Sequence, residues 1–402
     1  MTSGRSERLG VYTILLNTGM MNVGFTMLIP IISVYFTTEL AMTGAAVGAV
    51  LAVRQFAQQG LMMFGGAFGD RLGHKPIICA GYLVRAVGFV GFAFSTTLPA
   101  LFASAVVTAL GGALFEATSK AALASLVAPE QRAKVFSLAA LCGGVGLAIG
   151  PLVGVALLPI GFVWVGLGAA GCFFAAALFT LVLMPPTRTE AGANGPVGVR
   201  ASLCVVLRDR QFVTFTALLV GFWFLNNQIY ISVPLLAVRL TGDTVLVGAI
   251  FASQAVAAIA LQVPLTRLAN RYLTPPRAIA LGLLLMGGSL GLMAVAPSGA
   301  ALVACALVFA IGRVVVEPIK DTLTAELADP SGLAAYFGFG FLALAVGGTA
   351  GNYLGGWLMD LALAPDLRAL PWATFALVGL VSAAGLAAFR VRPRVTVPTE
   401  AV

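Results

Sequence analysis

Charged residues are scarce in this chain. Lys, Arg, Asp and Glu together make up 9% of the 402 residues, against about a quarter in soluble globular domains. There is one histidine, and the five cysteines include no C-x-x-C pair, so the sequence predicts no disulfide framework, no metal site and no cofactor. Hydrophobic residues make up 60%, and the mean hydropathy is +1.01. These values exclude an ordinary soluble domain and are typical of an integral membrane protein.

Long apolar runs recur along the whole chain. Each is long enough to cross a hydrocarbon core of roughly 30 Å as a helix. The first run continues to about Phe36, which is too long for the apolar part of a cleaved signal peptide. The runs therefore predict an all-α membrane protein with twelve transmembrane helices. The predicted spans are residues 11–37, 45–69, 76–96, 99–123, 134–157, 161–184, 211–238, 244–268, 277–296, 299–327, 333–360 and 371–389.

Basic residues are distributed unevenly between the predicted loops. If the N-terminus is cytoplasmic, the loops on the opposite side of the membrane contain only Arg239 and Arg368 as basic residues, and the cytoplasmic segments contain most of the others. This asymmetry predicts that both termini face the cytoplasm and that the protein lies in the cytoplasmic (inner) membrane. The net charge of +8 then reflects topology and contact with anionic membrane lipids, and no nucleic-acid partner is predicted.

One long polar interruption, Pro185 to Arg210, divides the chain into two halves. It predicts an N-terminal six-helix bundle at 1–184, a cytoplasmic linker at 185–210 and a C-terminal six-helix bundle with a basic tail at 211–402. The linker is predicted to form either a short interfacial helix near 199–207 or a disordered tether. Each half holds six spans, an even number, so the halves have the same orientation and are parallel repeats. Such repeats place the substrate in the cleft between them and give alternating access.

The repeat is visible in the sequence at an offset of 201 residues. This offset pairs Glu116 in span four with Glu317 in span ten. It also pairs Gly111 with Gly312, Pro129 with Pro330, Gly146 with Gly347, Gly150 with Gly351 and Gly154 with Gly355.

A charged turn, Gly66 to Pro76, separates spans two and three. Its spacing, G-x-x-x-D-R-x-G-x-K-P, resembles the loop 2–3 signature of the major facilitator superfamily, a family of secondary transporters. The resemblance implies that Asp70 accepts hydrogen bonds from a helix N-terminus and from Arg71 or Arg132, which latches the two halves on the cytoplasmic side. His74 is expected to be exposed in this loop, and it is interpreted either as a group that tunes the latch with pH or as a residue without a role. The predicted latch consists of Gly66, Asp70, Arg71, Gly73, Lys75 and Arg132.

The fifth span carries a glycine pattern with one proline. In any membrane protein this pattern favours close helix packing with a proline kink. The order also resembles the fifth-helix signature of drug:proton antiporters within the superfamily, which is associated with export. The residues concerned are Gly146, Gly150, Pro151 and Gly154.

The similarity to twelve-helix drug:proton antiporters extends over the whole length. The segments Arg54-Gln55-Phe56, Glu317-Pro318 and Gly355-Gly356-Trp357-Leu358 contribute to it. It implies proton-driven efflux of amphipathic drugs, with fluoroquinolones as the associated class. One departure is that span four lacks the arginine that many of these antiporters use for proton relay near Thr108. Either Arg54 or Lys120 replaces it, or coupling is different or absent.

Ionisable residues inside the spans are the predicted functional groups, because they are costly in a bilayer and tend to face a cavity. Glu116 and Lys120 in span four, and Arg313, Glu317 and Asp321 in span ten, each have i,i+4 spacing. They are interpreted either as self-neutralising intrahelical pairs or as groups that exchange a proton for substrate. Glu317 is flanked by two cations and Glu116 by one, so Glu116 is the predicted proton carrier. The predicted proton-coupling residues are Glu116, Glu317, Asp321, Lys120 and Arg54.

Other polar residues in the spans are interpreted either as groups that bind substrate or, equally, as groups that form hydrogen bonds between helices. Arg54 belongs to a polar stripe with neighbouring glutamines that is expected to face protein or water, whereas Arg85 is expected to pack or snorkel. The predicted substrate-binding residues are Asn17, Asn22, Asn226, Asn227, Gln228, Tyr230 and Arg313.

The sequence contains no P-loop and no nucleophile paired with a base, so an enzyme is not predicted and the energy must come from an ion gradient. The function predicted is a monomeric, proton-coupled secondary transporter that exports amphipathic drugs or other lipophilic small molecules. The alternatives are a transporter or flippase of a natural lipid-like or peptide-like compound, and a non-transporting membrane sensor with the same fold.

Overall fold

The computed structural model describes residues 3–185, 206–328 and 333–391, and these residues form helices and connections without a strand. Two short 3-10 helices, Leu158–Ile160 and Pro365–Leu367, lie among the α-helices. The α-helices are α1 Ser3–Thr38, α2 Gly44–Leu72, α3 His74–Phe94, α4 Leu98–Ser125, α5 Pro129–Leu157, α6 Phe162–Leu183, α7 Arg210–Gln228, α8 Ser232–Thr241, α9 Val245–Tyr272, α10 Pro275–Met293, α11 Gly299–Leu327, α12 Leu333–Leu361 and α13 Leu370–Ala388.

The helices confirm the prediction of an all-α membrane protein with twelve crossings. Within the described residues, ten helical segments are long and apolar enough to cross a membrane, and α7 and α8 together count as one of them. The remaining two crossings are α2 and α12, of 29 residues each, which corresponds to a length of about 43 Å.

The two halves use the same helix pairings. In the first half, α1 packs on α5, α2 on α4, and α3 on both α4 and α6. In the second half, the equivalent pairs are α7 with α12, α9 with α11, and α10 with both α11 and α13. Between the halves, α2 packs on α12 and α5 packs on α9. These pairings are those of two parallel six-helix repeats. Most of the predicted linker lies outside the described residues.

Glycines allow close contact where α5 crosses α1. A Cβ atom at Gly146 would collide with the carbonyl of Gly19, and one at Gly150 would collide with Thr26 Oγ1. In the second half, a Cβ at Gly347 would collide with the carbonyl of Val220 on α7. The glycine pattern of the fifth span therefore has a packing role in both halves.

The seventh span is broken, whereas the sequence predicted a continuous helix over 211–238. Helix α7 ends at Gln228 and α8 begins at Ser232. Pro234 has no N–H and cannot bond to the carbonyl of Tyr230 one turn before it. The Ser33 hydroxyl of α1 donates to that carbonyl instead, over 3.2 Å. A neighbouring helix thus satisfies the backbone group that the proline leaves free.

Candidate functional site

A cavity of about 660 Å³ lies between the two halves, which is within the usual range for small-molecule sites. Helices α1, α3, α4 and α5 line it from the first half, and α9, α11 and the break between α7 and α8 line it from the second. Its polar lining includes Thr18, Asn22, Tyr82, Glu116, Ser119, Lys120, Tyr230, Gln254, Gln262, Arg313, Glu317, Lys320 and Asp321.

The cavity brings together the predicted ionisable residues of α4 and α11. Glu116 reaches it from the first half and Glu317 from the second, and these are the two acids that the 201-residue offset pairs. Asp321 forms an ion pair with its chain neighbour Lys320, and its side chain is 62% exposed. A carboxylate from each half therefore faces the same space.

The i,i+4 ion pairs considered from the sequence are not formed. Among pairs in which both side chains are described, no cation lies within 4.0 Å of a Glu116 or Glu317 carboxylate oxygen. The Lys120 ammonium lies 5.5 Å from the centroid of the Phe341 ring on α12, in a cation–π contact between the halves. The interpretation of Glu116 and Lys120 as a self-neutralising pair is therefore wrong.

Glu116 is connected to Arg54 through one glutamine. Gln58 Nε2 donates to Glu116 Oε2 over 2.7 Å, and Arg54 Nη1 donates to Gln58 Oε1 over 3.1 Å. Arg54 Nη2 also donates to Gln55 Oε1 over 3.3 Å. The polar stripe of α2 thus faces protein, as predicted, and it links to the acid on α4. The sequence did not indicate this link, because the residues are 58 positions apart in the chain.

Two buried arginines lie beside the same aromatic ring. Arg54 is 4% exposed and Arg85 is 5% exposed, and their guanidinium carbons lie 4.9 Å and 5.3 Å from the centroid of Phe25. Arg85 also lies 5.3 Å from the Phe115 centroid and 5.1 Å from that of Phe173. Arg85 lines neither cavity described here and is packed in an aromatic cage.

A second, smaller cavity of about 200 Å³ lies beside Arg54. Its walls come from α1, α2, α7 and α12, and Tyr230 lines both this cavity and the larger one. The polar or aromatic residues that line it are Phe25, Arg54, Gln55, Gln58, Gln59, Trp223, Asn226, Asn227, Tyr230 and Asn352.

Two of the predicted substrate-binding residues line neither cavity. Asn17 Nδ2 donates to Ala176 O over 3.1 Å and to Thr180 Oγ1 over 2.8 Å, which joins α1 to α6. Gln228 Nε2 donates to Gly351 O on α12 over 3.1 Å. Both side chains form hydrogen bonds that join helices. Asn22, Tyr230 and Arg313 line the larger cavity, and Asn226 and Asn227 line the smaller one.

The predicted latch is described only in part. Gly73, at φ 93°, forms the turn between α2 and α3, and its N–H donates to Gly69 O over 2.9 Å. Arg71 is exposed and Lys75 is half-buried. The side-chain environments of Gly66, Asp70 and Arg132 lie outside the described residues, so the latch stays a prediction.

His74 is buried, at 1% exposure, whereas the sequence predicted an exposed loop residue. The cause is the shortness of the turn. Helix α3 begins at His74, directly after Gly73.

The halves are joined by a carboxylate that the sequence did not identify. We call the side of the bundle where α1 begins and α13 ends the terminus side. On the opposite side, Asp360 at the end of α12 accepts from the backbone N–H groups of Gly44 and Ala45, at 2.6 Å each. These are the first residues of α2, where the helix dipole favours a negative charge. The sequence signals that could have indicated this contact were an acid at the end of span eleven and a glycine at the start of span two.

From the contact of Asp360 with the start of α2, which we call the clamp, close packing continues along α2 and α12. A Cβ atom at Gly48 would collide with the carbonyl of Asn352, and one at Gly356 would collide with that of Gly44. The two halves are therefore in direct contact on the opposite side.

The family model of the Major Facilitator Superfamily matches residues 14–272. Multidrug resistance protein MdtH of Edwardsiella ictaluri is 34% identical over 383 residues, which cover 94% of each chain. MdtH of Cronobacter sakazakii is 35% identical over 377 residues, which cover 94% of this chain and 93% of that protein.

Solved structures with a similar fold are also transporters. A crystal structure of the peptide transporter POT in complex with sulfate has a TM-score of 0.77 at 18% identity, over 94% of each chain. An auto-inhibited POT family peptide transporter has a TM-score of 0.79 at 15% identity, over 96% of this chain and 98% of that one. At these identities the similarity to the solved structures shows the fold alone. Together with the family model and the MdtH relatives, it shows that the chain is a multi-pass membrane transporter and belongs to the major facilitator superfamily.

Proposed function

We propose that the protein is a proton-coupled transporter that exports amphipathic drugs or other lipophilic small molecules by alternating access. The observation that carries this proposal is the cavity between the halves, which Glu116 lines from one repeat and Glu317 from the other. A carboxylate in such a cavity can exchange a proton for substrate. The relatives named multidrug resistance protein support the substrate class.

The proton is proposed to bind at Glu116. Its described hydrogen-bond partner is the neutral amide of Gln58, and this bond can be kept in part when the acid is protonated. Arg54, on the far side of Gln58, is proposed to stabilise the ionised form. Glu317 is proposed as the second acid of the cycle, with Asp321 and Lys120 at the mouth of the cavity.

The two bundles, 1–184 and 211–402, are proposed to rock about the cavity. The terminus side is proposed to be cytoplasmic, because the basic loops lie there, in the cytoplasmic membrane. The opposite side is closed by Asp360 and by the contact of α2 with α12. This conformation would then be open to the cytoplasm, ready to accept substrate from that side.

The test uses everted membrane vesicles with an imposed pH gradient, which receive ethidium as a lipophilic cation or a fluoroquinolone. Wild type is expected to release protons on addition of substrate, and Glu116→Gln is expected to abolish this release. The matched control is Glu326→Gln, because Glu326 is exposed on α11 and lines neither cavity. It should behave as wild type.

Two results would contradict the proposal. Proton release that survives in Glu116→Gln and disappears in Glu317→Gln would move the proton site to the second half. No proton movement with either compound would reject antiport, and would favour transport of a natural lipid-like or peptide-like compound or a sensor role.

A further inference from the structure

The smaller cavity is polar and carries one formal charge. Among the described residues that line it, Arg54 is the only ionised side chain, and the other polar groups are mostly Asn and Gln amides. No carboxylate lines it within the part of the chain that the structure describes. A site with one cation and several amide donors is suited to an anion.

Several buried polar atoms at this cavity have no hydrogen-bond partner among the described residues. They are Arg54 Nε, Gln59 Oε1 and Asn226 Oδ1. Arg54 and Asn226 are 4% and 7% exposed, so bulk water does not compensate for these missing bonds. An unpaired buried polar group costs free energy that a ligand can recover. Arg54 Nε–H is a donor and can bind an anion, whereas the two amide oxygens are acceptors and can pair only with a donor of the ligand, such as the ammonium group of a zwitterion. The Nε–H and one Nη–H of an arginine can bind a carboxylate in bidentate geometry.

The surrounding charges favour the same ligand. Arg54 and Arg85 share the face of Phe25. Among the described residues, Glu116 is the only carboxylate whose charge acts on either arginine. Two buried cations are therefore balanced by one carboxylate. A second carboxylate beside Arg54 would neutralise the cluster, which removes part of the cost of burying the excess charge.

The smaller cavity adjoins the proposed substrate path. Tyr230 lines both cavities, and the rings of Phe25 and Trp223 line the smaller one. The two cavities are therefore adjacent, and a ligand with its charged end beside Arg54 would place its aromatic body next to Tyr230, the residue that both cavities share.

We propose that the smaller cavity is a subsite for the carboxylate of an amphipathic substrate, with Arg54 as its anion-binding residue. The preferred substrates are then aromatic or lipophilic molecules with a carboxylate, including zwitterions. This inference rests on the proposed function only in that the larger cavity is taken as the substrate path.

The test measures binding to the purified full-length protein in nanodiscs. The probes are pyrenebutyrate and its carboxamide, which differ in the charge of one group. Energy transfer from tryptophan to pyrene reports binding, because Trp223 lines the subsite, and protein-free nanodiscs give the background. Wild type should bind the carboxylate about 10- to 100-fold more tightly than the carboxamide, as expected for hydrogen bonds to a charged group.

Variants separate anion binding from other roles of Arg54. Arg54→Gln should bind both probes with equal affinity, and Arg54→Lys should keep part of the preference because it keeps the charge. Arg85→Gln removes the second cation but no residue that lines the subsite, so it should reduce the preference without abolishing it. Arg271→Gln is the matched control, since Arg271 is exposed and lines neither cavity, and it should keep the full preference. If Arg54→Gln does not fold, Gln59→Glu places an acid in the subsite and should weaken binding of the carboxylate alone.

The inference is overturned if wild type binds both probes equally, or if Arg54→Gln weakens both to the same extent. Binding in nanodiscs does not require a proton gradient. A carboxylate preference without proton-driven export would therefore leave the inference standing and reject the proposed function. Proton-driven export of ethidium without any preference for the carboxylate probe would support the proposed function and reject the inference.

Discussion

At the level of single residues, Gln58 occupies the position between the cation and the acid of the first half. It is 7% exposed, donates to Glu116 and accepts from Arg54. A glutamine is suited to this position because one amide is both donor and acceptor. It separates the two charges while both stay hydrogen-bonded. A direct ion pair would favour the ionised form of the acid more strongly, which would not suit the proton carrier that we propose.

Gln58→Leu should leave both charged groups without this partner. We expect the free energy of unfolding to fall by about 1–3 kcal/mol, the cost of an unsatisfied buried polar group. Gln55→Leu is the matched control, because Gln55 accepts only the longer 3.3 Å bond from Arg54. Unfolding in a detergent titration measures both variants. Equal losses in the two variants would show that the bond to Glu116 contributes nothing.

At the level of elements, the contact of α2 with α12 is the main joint between the halves. It combines close backbone packing at Gly44, Gly48 and Gly356 with the carboxylate of Asp360 at the start of α2. Close packing at glycines does not by itself fix the position of one helix along the other. The carboxylate adds a directional, charge-assisted contact that is lost when the halves separate. Asp360 therefore stabilises the conformation that is closed on the opposite side.

Asp360→Asn should shift the conformational equilibrium away from this closed state. A negative charge at a helix N-terminus contributes about 0.3–2 kcal/mol, so the closed population relative to the open one should fall by about 2- to 30-fold. Spin labels at Glu39 and Asp243, both exposed near the opposite side, measure the distance between the halves. The control is Asp366→Asn, since Asp366 is exposed on the same side. An unchanged distance distribution in Asp360→Asn would contradict the clamp.

At the level of the whole molecule, the sequence predicted the features that depend on its apolar runs and on its internal repeat. Apolar runs located the twelve crossings, and the 201-residue offset paired Glu116 with Glu317, which line the same cavity. Contacts between distant segments could not be predicted in this way. The break at Tyr230 depends on Ser33 as well as Pro234, and the bond from Gln58 to Glu116 depends on how α2 packs on α4. The burial of His74 depends on a one-residue turn, which the spacing of charged residues does not reveal.

Alternating access requires the halves to separate on the opposite side, and the contact of α5 with α9 offers a test. A Cβ atom at Gly248 would lie 3.7 Å from Val155 Cβ, which is the separation found in disulfides. The double variant Val155→Cys with Gly248→Cys should therefore form a disulfide on oxidation. We expect the oxidised protein to lose substrate-triggered proton release and export, because it cannot open on that side.

The two single variants, under the same oxidant, control for the native cysteines. A reductant should restore export in the double variant to the level of its unoxidised form. Binding of pyrenebutyrate should persist in the cross-linked protein, because the larger cavity would stay open on the terminus side. Full export with a complete cross-link would mean that substrate crosses without separation of α5 from α9, and would reject the rocking of two bundles about the cavity.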